Sequence, residues 1–313
     1  MDHRTSLLVD ALDGRLDERG RLLDAGIVSE RNGPSPSMFK TKSVDVGGFS
    51  VEYLRAVESA EAVIVFVPGL GPTWTTGGMV EYGTMVRKYA ERTSAVALFV
   101  DWHGERNSLA SAVETVVSTL DWARNHVREL SSPRVPLVVA GHGVGATIAA
   151  AAAVAASNGS DSPPDLQFLI SPAIDLGARR ASTSLGVASL VPQDDDIAAF
   201  LAAFASTDAL SGGMTTLLPR EGVSGLAPAI VATAELDPLM PEGEAYALVL
   251  RESGALVSYR CYEGQIHGFP LFIELTHGEL LTQQLVRAIT RFRRFGREGV
   301  IEKRSEAPET RAR

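Results

Sequence analysis

Cysteine is almost absent from this 313-residue chain: Cys261 stands alone, so no internal disulfide can form and no cysteine-based zinc site is available. Basic residues are also short, 29 Lys and Arg against 38 Asp and Glu, for a formal net charge of −9. A phosphate-backbone binder needs clustered Lys and Arg, so nucleic acid is not an expected partner. The 6 histidines are scattered, and none forms a His-x-x-x-His pair with a carboxylate at ligand spacing, so no metal site is expected. No organic cofactor motif occurs, and the expected cofactor is none. A secretory hydrophobic segment cannot be placed at the start, where Leu7, Leu8 and Val9 are followed by Asp10 and Asp13. With one cysteine and no export signal, a cytoplasmic location is expected.

What is present is the balance of a soluble, enzyme-sized protein: 45% hydrophobic and 21% charged residues, enough apolar material for a sizeable core. Residues Val135 to Ser160 contain no Asp, Glu, Lys or Arg, and the stretch is long enough for a membrane span of about 20 residues. Gly141, His142, Gly143 and Gly145 break it in the middle and Ala dominates its second half. A buried strand, a tight turn and a buried helix account for it better, and no membrane partner is expected.

From about residue 50 the chain alternates short apolar runs with amphipathic ones. The expected strands are Phe49 to Leu54, Ala62 to Val67, Ala95 to Val100, Val135 to Ala140, Leu166 to Ile170, Ala229 to Ala234 and Leu256 to Tyr262. Helical patterns run over Met79 to Thr93, Leu109 to Leu130, Gly145 to Ala156, Pro241 to Ser253 and Gly278 to Phe295. This order predicts an α/β fold with a mostly parallel sheet, antiparallel where no helix separates its first strands. Residues 39–176 and 227–300 form the expected core, a single domain. Residues 1–38, closed by Asn32-Gly33-Pro34-Ser35-Pro36, and residues 177–226 interrupt the alternation, and both are expected to form a lid. The tail 301–313 lacks an apolar face and is expected to be disordered.

The sharpest local signal is Ala140-Gly141-His142-Gly143-Val144-Gly145-Ala146 between a strand and an Ala-rich helix. It has the frame of a nucleophile elbow, Gly-x-Ser-x-Gly, with Gly143 where the serine belongs. On its own the stretch reads equally as an ordinary glycine-rich turn. A phosphate-cradling loop fits less well, because the third glycine of Gly-x-Gly-x-x-Gly is missing and no Gly-Lys-Ser/Thr follows. Downstream come Asp237-Pro238-Leu239, then Glu242-Gly243-Glu244-Ala245-Tyr246, then His267-Gly268-Phe269. Elbow, Asp, His is the chain order of α/β-hydrolases.

On these residues, with Ile170-Ser171-Pro172 and Asp175-Leu176, the chain resembles the hormone-sensitive-lipase-like branch of the α/β-hydrolases, which contains carboxylesterases and lipases. The resemblance covers roughly Phe49 to Phe295. It implies an α/β-hydrolase fold with a helical lid. It further implies that Asp237 orients His267, the general acid and base, and that the substrate is a small carbonyl compound. Physically the pair is coherent: a carboxylate that fixes one imidazole nitrogen leaves the other to transfer protons near neutral pH. The family's oxyanion loop corresponds to Pro68-Gly69-Leu70-Gly71, so main-chain N–H groups of Leu70, Gly71 and Val144 are the expected oxyanion hole. Related esterases are often dimers, which leaves a homodimer open.

Departures matter as much. The family's Asp-Tyr-Arg-Leu-Ala-Pro-Glu reads Asp101-Trp102-His103-Gly104-Glu105-Arg106-Asn107, and His142 replaces a usual acidic residue. His142 is expected to be a polar residue supporting the site. Gly143 cannot form an acyl-enzyme; in serine proteases loss of the nucleophile costs about 10⁶ in turnover, roughly 8 kcal/mol of barrier. What survives is about 10³–10⁴ over water. No replacement is evident: Thr73, Thr75 and Thr76 lie in the oxyanion loop, Thr147 faces an unspecified direction, and Cys261 is expected to be a buried hydrophobe.

Three readings follow. The first is an enzyme that kept His267 and Asp237 but dropped covalent catalysis, for elimination, dehydration, cyclisation, decarboxylation or direct water attack. The second is a binding protein on a pseudo-esterase scaffold, as in plant gibberellin receptors of the same branch. The third is a carboxylesterase whose serine was replaced at position 143.

Overall fold

The computed structural model describes residues 36–69, 78–102, 109–126, 135–159, 162–174, 225–271 and 276–301. The expected lid pieces and tail lie almost wholly outside these. Among the described residues, strands β1 (Lys40–Val46), β2 (Phe49–Arg55), β3 (Ala62–Val67), β4 (Ala95–Phe99), β5 (Leu137–His142), β6 (Leu166–Ile170), β7 (Ala229–Leu236) and β8 (Val257–Ile266) form one sheet. Their spatial order is β1-β2-β4-β3-β5-β6-β7-β8. The pairs β1/β2 and β2/β4 are antiparallel and all others parallel, as expected where crossover helices begin only after β3.

The central strands are made by largely apolar runs, with His142 in β5 and Gln167 in β6 the polar exceptions. Every residue of β3, β4, β5 and β6 is buried, which suits a parallel sheet covered on both faces. Alternate residues go to opposite faces. Val63, Val65 and Val67 pack with α2 (Leu109–Asn125), α3 (Val144–Gly159) and α4 (Met240–Glu252), whereas Ile64 and Phe66 pack with α1 (Gly78–Thr93) and α5 (Thr276–Phe295). The result is a three-layer α/β/α architecture, the α/β-hydrolase fold. Among the described residues no helix is long and apolar enough to cross a membrane.

Several boundaries differ from expectation. β1 is absent from the expected strands because Lys40 to Ser43 are exposed, so this edge lacks the apolar alternation that marks a half-buried strand. Its partner is found through the two-residue turn Gly47-Gly48, with φ of +62° and +89°, a conformation suited to a tight hairpin. β5, β7 and β8 run further toward their C-terminal ends than their apolar runs do, because ladder pairing continues through His142, Leu236 and Ile266. α2 stops at Asn125, short of the expected Leu130, with residues 127–134 outside the described residues.

Candidate active site

The C-terminal ends of β5, β7 and β8 converge where open α/β sheets bind ligands. β5 ends at His142 and α3 begins at Val144, leaving Gly143 as the whole turn, with φ of +55°. Its N–H donates to the Ile170 carbonyl at 2.9 Å and its carbonyl accepts from Ala146 N–H at 3.0 Å. The flanking glycines have a different reason to be glycine. A Cβ on Gly141 would lie 2.3 Å from the Gly145 carbonyl oxygen, and one on Gly145 would lie 2.2 Å from that of Val67 and 2.4 Å from that of Pro68. Backbone occupies both spaces. A Cβ on Gly143, by contrast, would make only ordinary contacts among the described residues: His267 Cε1 and Nε2 at 3.8 Å and Gly69 Cα at 3.9 Å. The fold would admit a side chain there at the cost of a left-handed backbone, and that side chain would face His267.

Asp237 follows β7 and is held from both oxygens. Oδ1 accepts the Leu239 N–H at 2.9 Å, a local turn that fixes the carboxylate, and Oδ2 accepts from His267 Nδ1 at 2.8 Å. Both residues are buried, Asp237 3% and His267 4% exposed, so solvent hardly screens the pair. With Nδ1 donating to the carboxylate, the neutral ring carries its basic lone pair on Nε2, the atom turned toward Gly143. The end of β8 that leads into His267 is itself tied down, because Gly264 N–H donates to Glu235 Oε2 at 2.7 Å.

His142 was expected only to support the site, and its contacts were not legible from sequence. Its ring lies 4.7 Å from that of His267, centroid to centroid, tilted by 53°. Nδ1 is 2.6 Å from the Tyr82 hydroxyl of α1, while Nε2 has no hydrogen-bond partner among the described residues. Burial, and secondly the neighbouring His267, hold this imidazole well below the usual histidine range, so it is neutral at pH 7. Tyr82 belonged to an amphipathic helix pattern with no local motif to single it out. Trp102, the aromatic retained from the divergent segment, donates its indole N–H to the Pro68 carbonyl at 2.9 Å and so fixes the chain just after β3.

Of the other expected site residues, Leu70 and Gly71 lie outside the described residues, as do Thr73, Thr75 and Thr76. Val144 is the first residue of α3, a position whose N–H is not used within a helix and points out of its N-terminus. Thr147 is fully buried and its hydroxyl donates to the Ala173 carbonyl at 2.6 Å, which takes it out of contention as a substitute nucleophile. Cys261 is only partly buried, rather than the core hydrophobe expected, and burial pushes its thiol pKa up, which lowers its nucleophilic fraction.

The fold and the site define an α/β-hydrolase, and the chain belongs to that family: the α/β hydrolase fold family matches residues 71–271. Carboxylic ester hydrolase LipN of Mycobacterium tuberculosis is 28% identical over 240 residues, a match that takes in 74% of this chain and 63% of LipN. Carboxylesterase NlhH of the same organism is 28% identical over 215 residues, covering 67% of each chain. The chain thus spans somewhat less than two thirds of LipN and about two thirds of NlhH. Among solved structures, a hyperthermophilic esterase from the archaeon Pyrobaculum calidifontis superposes with a TM-score of 0.77 at 24% identity, over 96% of this chain and 99% of that one. At that identity the likeness speaks for the fold.

Proposed function

We propose that this chain is a carboxylesterase-like enzyme that acts on a small carbonyl compound without forming an acyl-serine. The observation that carries the proposal is the disposition of Nε2 of His267. It belongs to an imidazole held by Asp237 at 2.8 Å and faces, at 3.8 Å, the position a nucleophile's Cβ would take. His267 then serves as general base and acid, and Asp237 keeps the Nδ1–H tautomer and stabilises the imidazolium. The main-chain N–H of Val144, with those of Leu70 and Gly71, receives the charge that develops on the substrate carbonyl oxygen. A base beside an oxyanion site suits elimination, dehydration, cyclisation or direct attack by water. Relatives named as ester hydrolases support a carbonyl substrate. A pure binding protein has no need of a buried carboxylate locked to a buried imidazole, so the dyad favours catalysis.

The test is turnover of a panel of short acyl esters and β-hydroxy carbonyl compounds by the native chain and by His267→Ala. Loss of about 10²–10⁴-fold in the variant is expected for removal of a general base. Equal turnover by both proteins on every substrate would sink the proposal. A second reading, a carboxylesterase with its serine replaced, draws support from the clearance at Gly143, and is tested by restoring the hydroxyl.

A further inference from the structure

The hydrogen bond at Nδ1 holds one corner of the His267 imidazole. It leaves the plane of the ring, and with it the direction of the Nε2 lone pair, to be set by other contacts. In serine hydrolases the serine hydroxyl meets Nε2 and supplies a second point. Gly143 has no side chain to do so. Here the ring of His267 is met by that of His142, with centroids 4.7 Å apart and planes inclined at 53°. His142 is fixed in turn. Its main chain ends β5, in register with Ile170 of β6, and its Nδ1 lies 2.6 Å from the Tyr82 hydroxyl. Tyr82 packs from α1 against Phe66 of β3, ring centroids 6.0 Å apart. Gly69 closes over both residues: a Cβ there would overlap the His142 carbonyl oxygen and stand 3.0 Å from the Tyr82 hydroxyl.

Packing alone does not account for a histidine at this place. Its Nε2 is buried with no hydrogen-bond partner among the described residues, a cost to stability that Phe or Leu would not carry. What the imidazole gains over an apolar ring is the bond to Tyr82, which sets the plane it presents to His267. Held neutral by burial, it also brings no positive charge to oppose an imidazolium at His267. Resting on the reading of His267 as general base, we infer that Tyr82 and His142 are a positioning pair for it: the Tyr82 hydroxyl fixes the plane of the His142 ring, and that ring fixes the aim of His267 Nε2. Both residues are buried, 1% and 0% exposed, so they act on proton transfer and not on substrate binding.

The experiment compares the native chain with Tyr82→Phe, which removes one oxygen, with His142→Phe, which keeps a ring but not the bond, and with the double variant. Two readouts are taken. One is the low-field proton resonance of the His267 Nδ1–H, identified by its loss in His267→Ala. The other is kcat and KM on the fastest substrate of the ester and β-hydroxy carbonyl panel. Each single variant is expected to keep a native far-UV circular dichroism spectrum and to exchange the Nδ1 proton with water faster than the native chain. A fall in kcat of about ten- to a hundredfold is expected, with KM within about twofold of native. The double variant is expected to lose no more than the worse single one, because both changes cut the same link. Either single variant suffices if the other does not fold. An unchanged resonance and kcat in a folded single variant, or losses that multiply in the double variant, overturn the pair; with His267→Ala inactive, the general-base reading then stands. Turnover indifferent to His267→Ala overturns that reading and the pair with it.

Discussion

Gly143→Ser adds a Cβ and a hydroxyl at a residue with φ of +55°. The backbone cost for a non-glycine residue there is about 1–2 kcal/mol, with steric cost small because the nearest heavy atoms to the Cβ lie at 3.8–3.9 Å. For a domain of this size that corresponds to a fall in Tm of roughly 2–4 °C. Against it stands a gain in chemistry. The new oxygen, one bond from a Cβ that is 3.8 Å from Nε2, can reach the range of about 2.7–3.2 Å at which a base takes a hydroxyl proton. Losing such a nucleophile costs about 10⁶, so restoring it on an intact site is expected to raise kcat/KM on short acyl esters by at least about 10³. The assay is p-nitrophenyl acetate and butyrate hydrolysis, with a burst of p-nitrophenol and labelling by a fluorophosphonate. A folded variant that gains less than about tenfold and resists the fluorophosphonate would refute the reasoning, because Nε2 would then be misplaced for the hydroxyl it faces.

Three further outcomes are expected. Asp237→Asn should lower turnover of any His267-dependent substrate by about 10³–10⁴, since the amide no longer fixes the Nδ1–H tautomer; a change under tenfold measured by steady-state kinetics would remove Asp237 from the mechanism. Gly145→Ala should lower Tm by several degrees, about 1–3 kcal/mol of overpacking, and abolish activity, because its methyl displaces the carbonyls of Val67 and Pro68; an unchanged melting curve would contradict the packing. His142 is held neutral by burial, whereas the unfolded chain takes up a proton near a pKa of about 6.5. Stability is therefore lost as pH falls below that value, by up to about 1.4 kcal/mol per pH unit from this group. With Tyr82 and His267 the titratable groups facing it, His142→Phe should flatten the dependence of Tm on pH between about 6.5 and 5. Parallel slopes for the two proteins would count against the assignment.

Where sequence and structure agree, the reason is runs of mostly apolar residues in a twice-covered sheet. β3 begins and ends where Ala62 to Val67 are apolar, and β6 spans Leu166 to Ile170 with one buried polar residue, Gln167, whose side-chain amide donates to the Ala227 carbonyl. β1 carries no such signal, since it is held largely by its backbone ladder to β2 and its side chains from Lys40 to Ser43 are exposed, with only Val46 buried. The pairing of Asp237 with His267 was legible because chain order and local motifs point to one sheet edge. The contact of His142 with Tyr82 was not: the residues are 60 apart in sequence, and a helix face records only that Tyr82 is buried, not which polar atom it meets. Likewise Thr147 reads as any helical threonine until its donation to Ala173 is seen. The reason for each glycine is also tertiary. Sequence shows three in the elbow, but the distances distinguish the two that must be glycine from the one that need not be.

The most direct measurement is intact-protein mass spectrometry of the native chain quenched during steady-state turnover of its best carbonyl substrate, with His267→Ala run in parallel. The expected result is a chain of unmodified mass at every time point, turning over substrate in a reaction that disappears in His267→Ala. An acyl adduct accumulating on the native chain, or equal turnover by the variant, would contradict catalysis by His267 without a covalent intermediate.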